Sequence, residues 1–134
     1  IPLAIEVTRA LGLDDYVILH KTPKIHLGDV YAEPVRSITT DTGQTLRLDP
    51  ARVEAVRGRR VAVVDDVVST GASLRAAFAL VRRVGGDPVV AGVLVTEGSS
   101  WRTALGPDAD RVRALGALPV FRTTADGGSS EDWG

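Results

Sequence analysis

The chain has 134 residues, of which 44% are hydrophobic and 25% are charged, a composition typical of one globular domain that excludes intrinsic disorder. The net charge of −1 favours neither a nucleic acid nor a membrane as partner. Cysteine is absent, which excludes disulfides and thiolate chemistry and permits a reducing cytoplasm, and no apolar run approaches the roughly 18 residues of a membrane-spanning helix.

The first predicted elements are a helix and a strand. Leu3, Val7 and Leu11 recur at helical spacing, and Gly12 follows in a position that ends the helix. Residues 16–19 then form a short, continuous apolar run, which is typical of a buried strand.

The segment 22–48 has no helical period, and a long excursion of this kind inside an α/β unit is usually functional or mobile. We predict a hairpin within it, with strands at 36–39 and 45–48 on either side of Asp41-Thr42-Gly43. Asp49-Pro50 then indicates the start of a short helix.

The second half alternates strands and helices. Residues 61–64 predict a strand, and the apolar stripe after the following loop predicts a helix closed by Gly85-Gly86. Further along, 89–95 predict a strand, 107–115 a last helix and 118–121 a last strand.

This alternation indicates an α/β fold, a parallel sheet with helices on its faces. The tail, residues 123–134, is polar and rich in Gly and Ser, and we expect it to be a frayed end.

The strongest chemical signal lies just after the strand predicted at 61–64. Asp65 and Asp66 stand at its end, and a loop of small residues, 69–73, leads from them into a helix. Free N–H groups and the helix dipole favour a phosphate at such a helix start, and Gly71 lets the backbone approach it closely. Carboxylates repel phosphate but accept hydrogen bonds from vicinal hydroxyls, so the pattern predicts a ribose 5-phosphate site. The structural alternative is a strand end followed by an ordinary helix cap.

The whole stretch closely resembles the signature of type I phosphoribosyltransferases, whose fold is a Rossmann-like parallel sheet flanked by helices with a flexible β-hairpin. The resemblance implies that Asp65 and Asp66 bind the ribose hydroxyls of phosphoribosyl pyrophosphate (PRPP). It places the loop on the 5-phosphate, with Ala72 and Ser73 where the family has its second glycine and second threonine. The implied PRPP-binding residues are Asp65, Asp66, Val67, Val68, Ser69, Thr70, Gly71, Ala72 and Ser73.

The likeness to adenine and xanthine phosphoribosyltransferases extends to the start of the chain. There the strand ends in Arg-Lys; here His20 replaces the arginine and Lys21 keeps the lysine, which implies a pyrophosphate contact. Residues 22–48 match the family's flexible hairpin but lack the Glu-Tyr pair of adenine enzymes. Within this segment, Lys24 either reaches the pyrophosphate when the hairpin closes or is a solvated loop lysine. Trp101 either stacks on the base or covers a sheet edge or dimer contact, and the second is favoured.

The family pattern also predicts how the chain is organised. We expect a phosphoribosyltransferase domain at 1–122, with 22–48 as its hairpin and 123–134 as a polar tail. The family begins earlier, with a first strand, a pyrophosphate loop and a hood that contacts the base. We therefore expect this sequence to be part of a longer protein.

The resemblance implies a purine phosphoribosyltransferase of the glycosyltransferase class, with adenine as first and xanthine as second choice of base. Lys21, Asp65 and Asp66 are its implied catalytic residues, and Mg²⁺ bound by substrate oxygens and water its cofactor. A cytoplasmic homodimer that binds neither membrane nor nucleic acid is the expected setting. The alternatives are a non-catalytic PRPP-sensing regulator and a receiver-like domain, which the Ser-Thr-Gly loop disfavours.

Overall fold

The computed structural model describes residues 2–23, 31–36 and 41–133. The helices are α1 (Pro2–Ala10), α2 (Ala72–Arg83) and α3 (Ser100–Leu105), with 3₁₀ helices at Pro50–Ala55 and Gly106–Arg111. The strands are β1 (His20–Pro23), β2 (Ala32–Arg36), β3 (Asp41–Arg47), β4 (Arg60–Val68), β5 (Asp87–Glu97), β6 (Val112–Leu118), β7 (Val120–Thr123) and β8 (Ser129–Asp132). None of the helices in these ranges is long and apolar enough to cross a membrane.

A parallel sheet of order β4-β5-β6 organises the second half, and this confirms the predicted α/β fold. The predicted α2 stripe faces inward, with Leu74, Phe78 and Val81 all buried. Leu74 and Phe78 pack with Ala91 and Val93 of β5, so α2 covers one face of the sheet. This packing fixes the start of α2 against the carboxyl end of β4, where the acids lie.

An ion pair ties α2 to the 3₁₀ helix before β6. Both terminal nitrogens of Arg82 donate to the Asp108 carboxylate, at 2.7 Å each. These hydrogen bonds lower the pKa of Asp108 below its ordinary value of 3.8, against the smaller opposing effect of burial.

A second sheet, antiparallel and of order β1-β3-β2, confirms the predicted hairpin but corrects its bounds. The expected turn, Asp41-Thr42-Gly43, belongs to β3, because register pairing with β2 continues to Asp41. The connection therefore falls at residues 37–40, which, like 24–30, lie outside the described residues. Mobility of the hairpin stays a prediction.

The base of this hairpin belongs to the protein core. Val35, Leu46 and Leu48 are buried in one cluster with the α2 residues Leu80 and Val81. On its outer side, Arg83 of α2 forms an ion pair with Glu33 and donates to the carbonyl of Ala32. Apolar and charged contacts thus both fix β2 to α2.

The strand predicted at 16–19 is wrong. These residues have no ladder partner among those described, and regular pairing begins only at His20, with β3. Val17 and Leu19 nevertheless pack against the core. An apolar run creates the tendency to be buried, but a strand also requires a neighbour with free backbone groups.

The helix predicted at 107–115 is right only in its first part, the 3₁₀ helix Gly106–Arg111, and the strand predicted at 118–121 is shifted to β7 (Val120–Thr123). The segment 100–105 is helical, and Val112–Leu118 forms β6, a parallel partner of β5 in which Ala114 lies beside Val93. Long-range pairing with β5 outweighs the helix propensity of the Ala, Leu and Arg residues in this stretch.

The tail is not frayed. β7 and β8 pair as an antiparallel hairpin, so the predicted boundary at residue 122 falls inside a strand. Its turn is held by Asp126, which accepts from the Gly128 N–H at 3.0 Å, and by Gly127 at φ 84°. These side-chain and backbone bonds order a segment whose composition alone suggested disorder.

Candidate functional site

The two acids lie inside β4 rather than after it, because the strand continues to Val68, opposite Thr96 of β5. Adjacent residues of a strand point to opposite faces, so Asp65 and Asp66 differ in their surroundings. Asp65 is half-buried, and its Oδ1 accepts the Asp66 N–H at 2.8 Å. Asp66 is exposed. The first acid is thus held by its own backbone, and the second presents its carboxylate to solvent.

The loop between β4 and α2, residues 69–71, has the geometry of an anion site. Gly71 is the N-cap at φ 83°, a conformation that favours glycine, and Thr70 Oγ1 accepts the Ala72 N–H at 3.2 Å. The next N–H groups of the helical turn have no intrahelical acceptor, and α2 is 12 residues long. Together with the helix dipole they favour a phosphate at this end.

One cleft of about 260 Å³ collects the residues that the sequence singled out. Its described lining consists of Lys21, Asp65, Asp66, Val67, Val68, Ser69, Thr70, Gly71, Ala72, Ser73 and Leu74. Lys21 comes from β1 of the antiparallel sheet and is exposed. Lys24, also predicted at the pyrophosphate, lies outside the described residues. The cleft therefore joins a cationic side chain from one sheet to carboxylates and a phosphate-type loop from the other.

A smaller cavity, of about 80 Å³, lies on the α1 side of the acids. Leu3 and Ala4 of α1 line it together with Val64, Asp65 and Asp66. The acids are thus accessible both from the loop side and from the start of α1.

Of the two alternatives for Trp101, the structure contradicts the less favoured one, base stacking. The residue sits on α3 rather than in an exposed loop, is only 4% exposed, and is absent from the described lining of the cleft. Its Nε1 donates to the Gly98 carbonyl at 3.0 Å, and the Arg102 guanidinium lies 4.5 Å from its ring centroid. Because the ring is enclosed on these sides, it has no face free to stack on a base, and the prediction of base stacking by Trp101 is wrong.

Sequence reasoning also missed what Trp101 touches. A Cβ placed on Gly71 would lie 3.2 Å from the Trp101 Cα, so the loop rests directly on α3. Thirty residues separate the two in sequence, and no local pattern reports such a contact.

No group of three or more acidic or histidine side chains that could hold a metal occurs within the described part of the chain. The cleft does provide carboxylate oxygens from Asp65 and Asp66 on its rim. Such a donor set fits a hard cation that keeps water and substrate oxygens as most of its ligands.

The described domain is a parallel α/β sheet whose first strand carries paired acids and leads into the small-residue loop at the start of α2. Residues 1–110 match the family model described as the phosphoribosyl transferase domain. The chain belongs to that family.

Curated relatives in sequence are named adenine phosphoribosyltransferase. One from Mycobacterium avium (strain 104) is 43% identical over 75 residues, which are 56% of this chain and 37% of the relative. One from Gluconacetobacter diazotrophicus is 51% identical over 45 residues, 33% of this chain and 26% of the relative. The chain thus spans only about a third of the length of these relatives.

Solved structures share the fold. The APRTase of Giardia lamblia, complexed with 9-deazaadenine, has a TM-score of 0.62 and 24% identity over 84% of this chain and 61% of its own. The adenine phosphoribosyltransferase of Rhodothermus marinus gives the same score and identity, over 87% and 63%. At this level of identity the likeness establishes the fold.

Proposed function

We propose that the protein is a purine phosphoribosyltransferase that transfers the phosphoribosyl group of PRPP to a purine base, releasing pyrophosphate. The observation that carries this proposal is the single cleft that holds Lys21, both acids and the loop at the start of α2. Family membership supports the reaction class, a glycosyl transfer. The names of the sequence relatives support adenine as the first base to test, ahead of xanthine.

Each part of the cleft has a distinct task in this reaction. The N–H groups at the start of α2 and the hydroxyls of Ser69, Thr70 and Ser73 bind the 5-phosphate. Asp65 and Asp66 accept hydrogen bonds from the ribose hydroxyls, which fixes the ring. Charge-assisted hydrogen bonds of this kind are stronger than neutral ones, so the acids contribute both affinity and orientation.

The remaining task is to stabilise charge at the reacting carbon and the leaving group. Glycosyl transfer passes through an oxocarbenium-like transition state. Catalysis therefore comes from positioning of the substrates and electrostatic stabilisation, and it does not require a protein nucleophile. As pyrophosphate departs it gains negative charge, and in this proposal the Lys21 ammonium stabilises it. The two carboxylates fix the ribose beneath the cationic carbon.

Mg²⁺ fits this site as the cofactor. The described lining contains two carboxylates and one lysine, so a pyrophosphate group meets too little positive charge from these residues alone. Mg²⁺ would supply that charge when bound with the substrate, and Asp65 and Asp66 are the carboxylates that would interact with it. On the resemblance alone we also propose a homodimer and a cytoplasmic location, of which the first is tested by light scattering after gel filtration.

The test is to incubate the protein with Mg²⁺, PRPP and each of adenine, xanthine, hypoxanthine and guanine, and to measure nucleotide and pyrophosphate. We expect AMP from adenine. Asp66→Asn should lower kcat/KM for PRPP about ten- to a hundredfold, since hydrogen bonds to a charged group contribute about 1.5–3 kcal/mol.

The matched control is Asp110→Asn, an exposed aspartate outside the described lining of the cleft, which should retain parental activity. Parental activity in Asp66→Asn would overturn the site. Tight PRPP binding without a product from any base would instead indicate a PRPP-sensing regulator.

A further inference from the structure

The loop at the start of α2 does not stand alone, because α3 lies directly behind it. Loop residues 69–71 line the cleft, whereas α3 contacts the loop and is absent from the described lining. The loop therefore contributes to the cleft and also touches α3. Whatever fixes α3 also fixes the backbone that would meet a phosphate.

The first contact between the two is backbone packing at Gly71. A Cβ added to this residue would lie 3.2 Å from the Cα of Trp101, 3.3 Å from its Cβ and 3.2 Å from the Cβ of Ala104. The space between Gly71 and α3 is therefore too tight for a side chain, and only a glycine lets the loop lie this close to the helix. The α3 backbone thus sets how far back the N-cap of α2 can lie.

The second contact is a hydrogen bond from the Ser100 hydroxyl to the Ser69 carbonyl, at 3.3 Å. No peptide bond between described residues is cis, and in a planar trans peptide the N–H of the following residue points opposite to the carbonyl. With the Ser69 carbonyl turned toward α3, the Thr70 N–H points away from α3, and Thr70 itself lines the cleft. One side-chain bond thereby orients a donor for the phosphate.

Helix α3 is itself held firmly in place. The indole of Trp101 packs in the cluster that contains Val68 and Leu74, the residues on either side of the loop. Its N–H is satisfied by Gly98, and Arg102 covers one face of the ring. A buried aromatic held on several sides keeps α3 in one place relative to β4 and α2.

We propose that Ser100 and Trp101 are positioning residues for the phosphate-binding loop: α3 holds the loop amides in the orientation that binds the 5-phosphate of the substrate. This proposal rests on the proposed function. In this proposal Trp101 positions the phosphate-binding loop and does not stack on the base.

The test uses Ser100→Ala, which removes the bond to Ser69 without disturbing the core, and Thr103→Ala as matched control, an exposed hydroxyl on the same helix. Calorimetric titration with ribose 5-phosphate should show affinity about three- to tenfold lower in Ser100→Ala, the range expected for one hydrogen bond, and unchanged in Thr103→Ala. Titration with unphosphorylated ribose should show no difference among the proteins. In turnover assays the KM of Ser100→Ala for PRPP should rise while its kcat stays close to parental. Ser100→Thr, which keeps the hydroxyl, should have the parental KM.

A second pair of variants tests Trp101. Trp101→Phe keeps the buried ring and should bind ribose 5-phosphate nearly as the parent does, whereas Trp101→Leu should bind it several-fold more weakly at a temperature where both remain folded. Equal affinities of the parent, Ser100→Ala and Trp101→Leu for ribose 5-phosphate would overturn the role of α3 and leave the proposed function intact. A parent that binds neither ribose 5-phosphate nor PRPP would overturn the proposed function itself.

Discussion

Replacing Gly71 with alanine measures the closeness of the loop to α3. The residue has φ 83°, where an L side chain costs about 1–2 kcal/mol. Its Cβ would also press on the Trp101 Cα, a backbone atom that cannot swing aside, and overpacking of this kind costs about 1–3 kcal/mol. We therefore expect Gly71→Ala to lower the free energy of unfolding by about 2–5 kcal/mol in urea titrations, a large share of an ordinary domain's stability.

Gly58→Ala separates the two contributions to this loss. Gly58 also has a positive φ, 71°, but an added Cβ meets nothing within 4 Å, so this variant should lose only the strain of about 1–2 kcal/mol. In the Gly71→Ala background, Ala104→Gly should show favourable coupling in a double-mutant cycle, because it removes one of the crowding atoms. Equal losses in Gly71→Ala and Gly58→Ala would refute the close packing of loop and helix.

Three further predictions follow from other contacts. Lys21→Ala should lower kcat far more than it weakens equilibrium binding of PRPP, because the leaving group gains charge in the transition state; equal losses would assign Lys21 to ground-state binding. Asp108→Asn should destabilise the protein by up to about 1 kcal/mol at pH 7, since Arg82 lowers the pKa of Asp108 and such partly exposed pairs contribute little. That contribution is present above pH 3.8 and lost as the pH falls through the lower folded-state pKa, so urea titrations should show the gap in unfolding free energy between variant and parent closing as the pH falls below 3.8; a constant gap would contradict this. Arg83→Ala should speed amide hydrogen exchange in Ala32–Arg36 and leave β5 unchanged, because Arg83 bonds both Glu33 and the Ala32 carbonyl; unchanged exchange in β2 would show that apolar packing alone holds it.

Local patterns predicted the elements that carry their own signal. The stripe of α2, the strand before Asp65 and the small-residue loop are each encoded within a dozen consecutive residues, and together they located the cleft. The segment 16–19 failed because its apolar character specifies burial but not a partner strand. The helix prediction was wrong for the residues of β6, because parallel pairing with β5, a long-range contact, decides the conformation of these helix-forming residues.

Two other errors have different causes. The tail contains Asp126-Gly127, a hairpin signal that its overall Gly and Ser content obscured. Trp101 could not be placed from the sequence, since its neighbours at Gly71 and Val68 come from another part of the chain. The position of an isolated aromatic residue depends on tertiary packing, which the periodicity of the sequence does not reveal.

The cleft is walled by two sheets that are not hydrogen-bonded to each other in the described structure: Lys21 belongs to one, and the acids belong to the other. What joins these walls is the contact of β2 and β3 with α2, through the apolar packing of Val35 and Leu46 and through the bonds of Arg83 to β2. The separation between the lysine and the acids is therefore set by side-chain contacts, which yield more easily than a backbone ladder. Gentle heating or low urea should widen this gap and reduce turnover at concentrations where circular dichroism still reports intact secondary structure, so activity should be lost ahead of the fold.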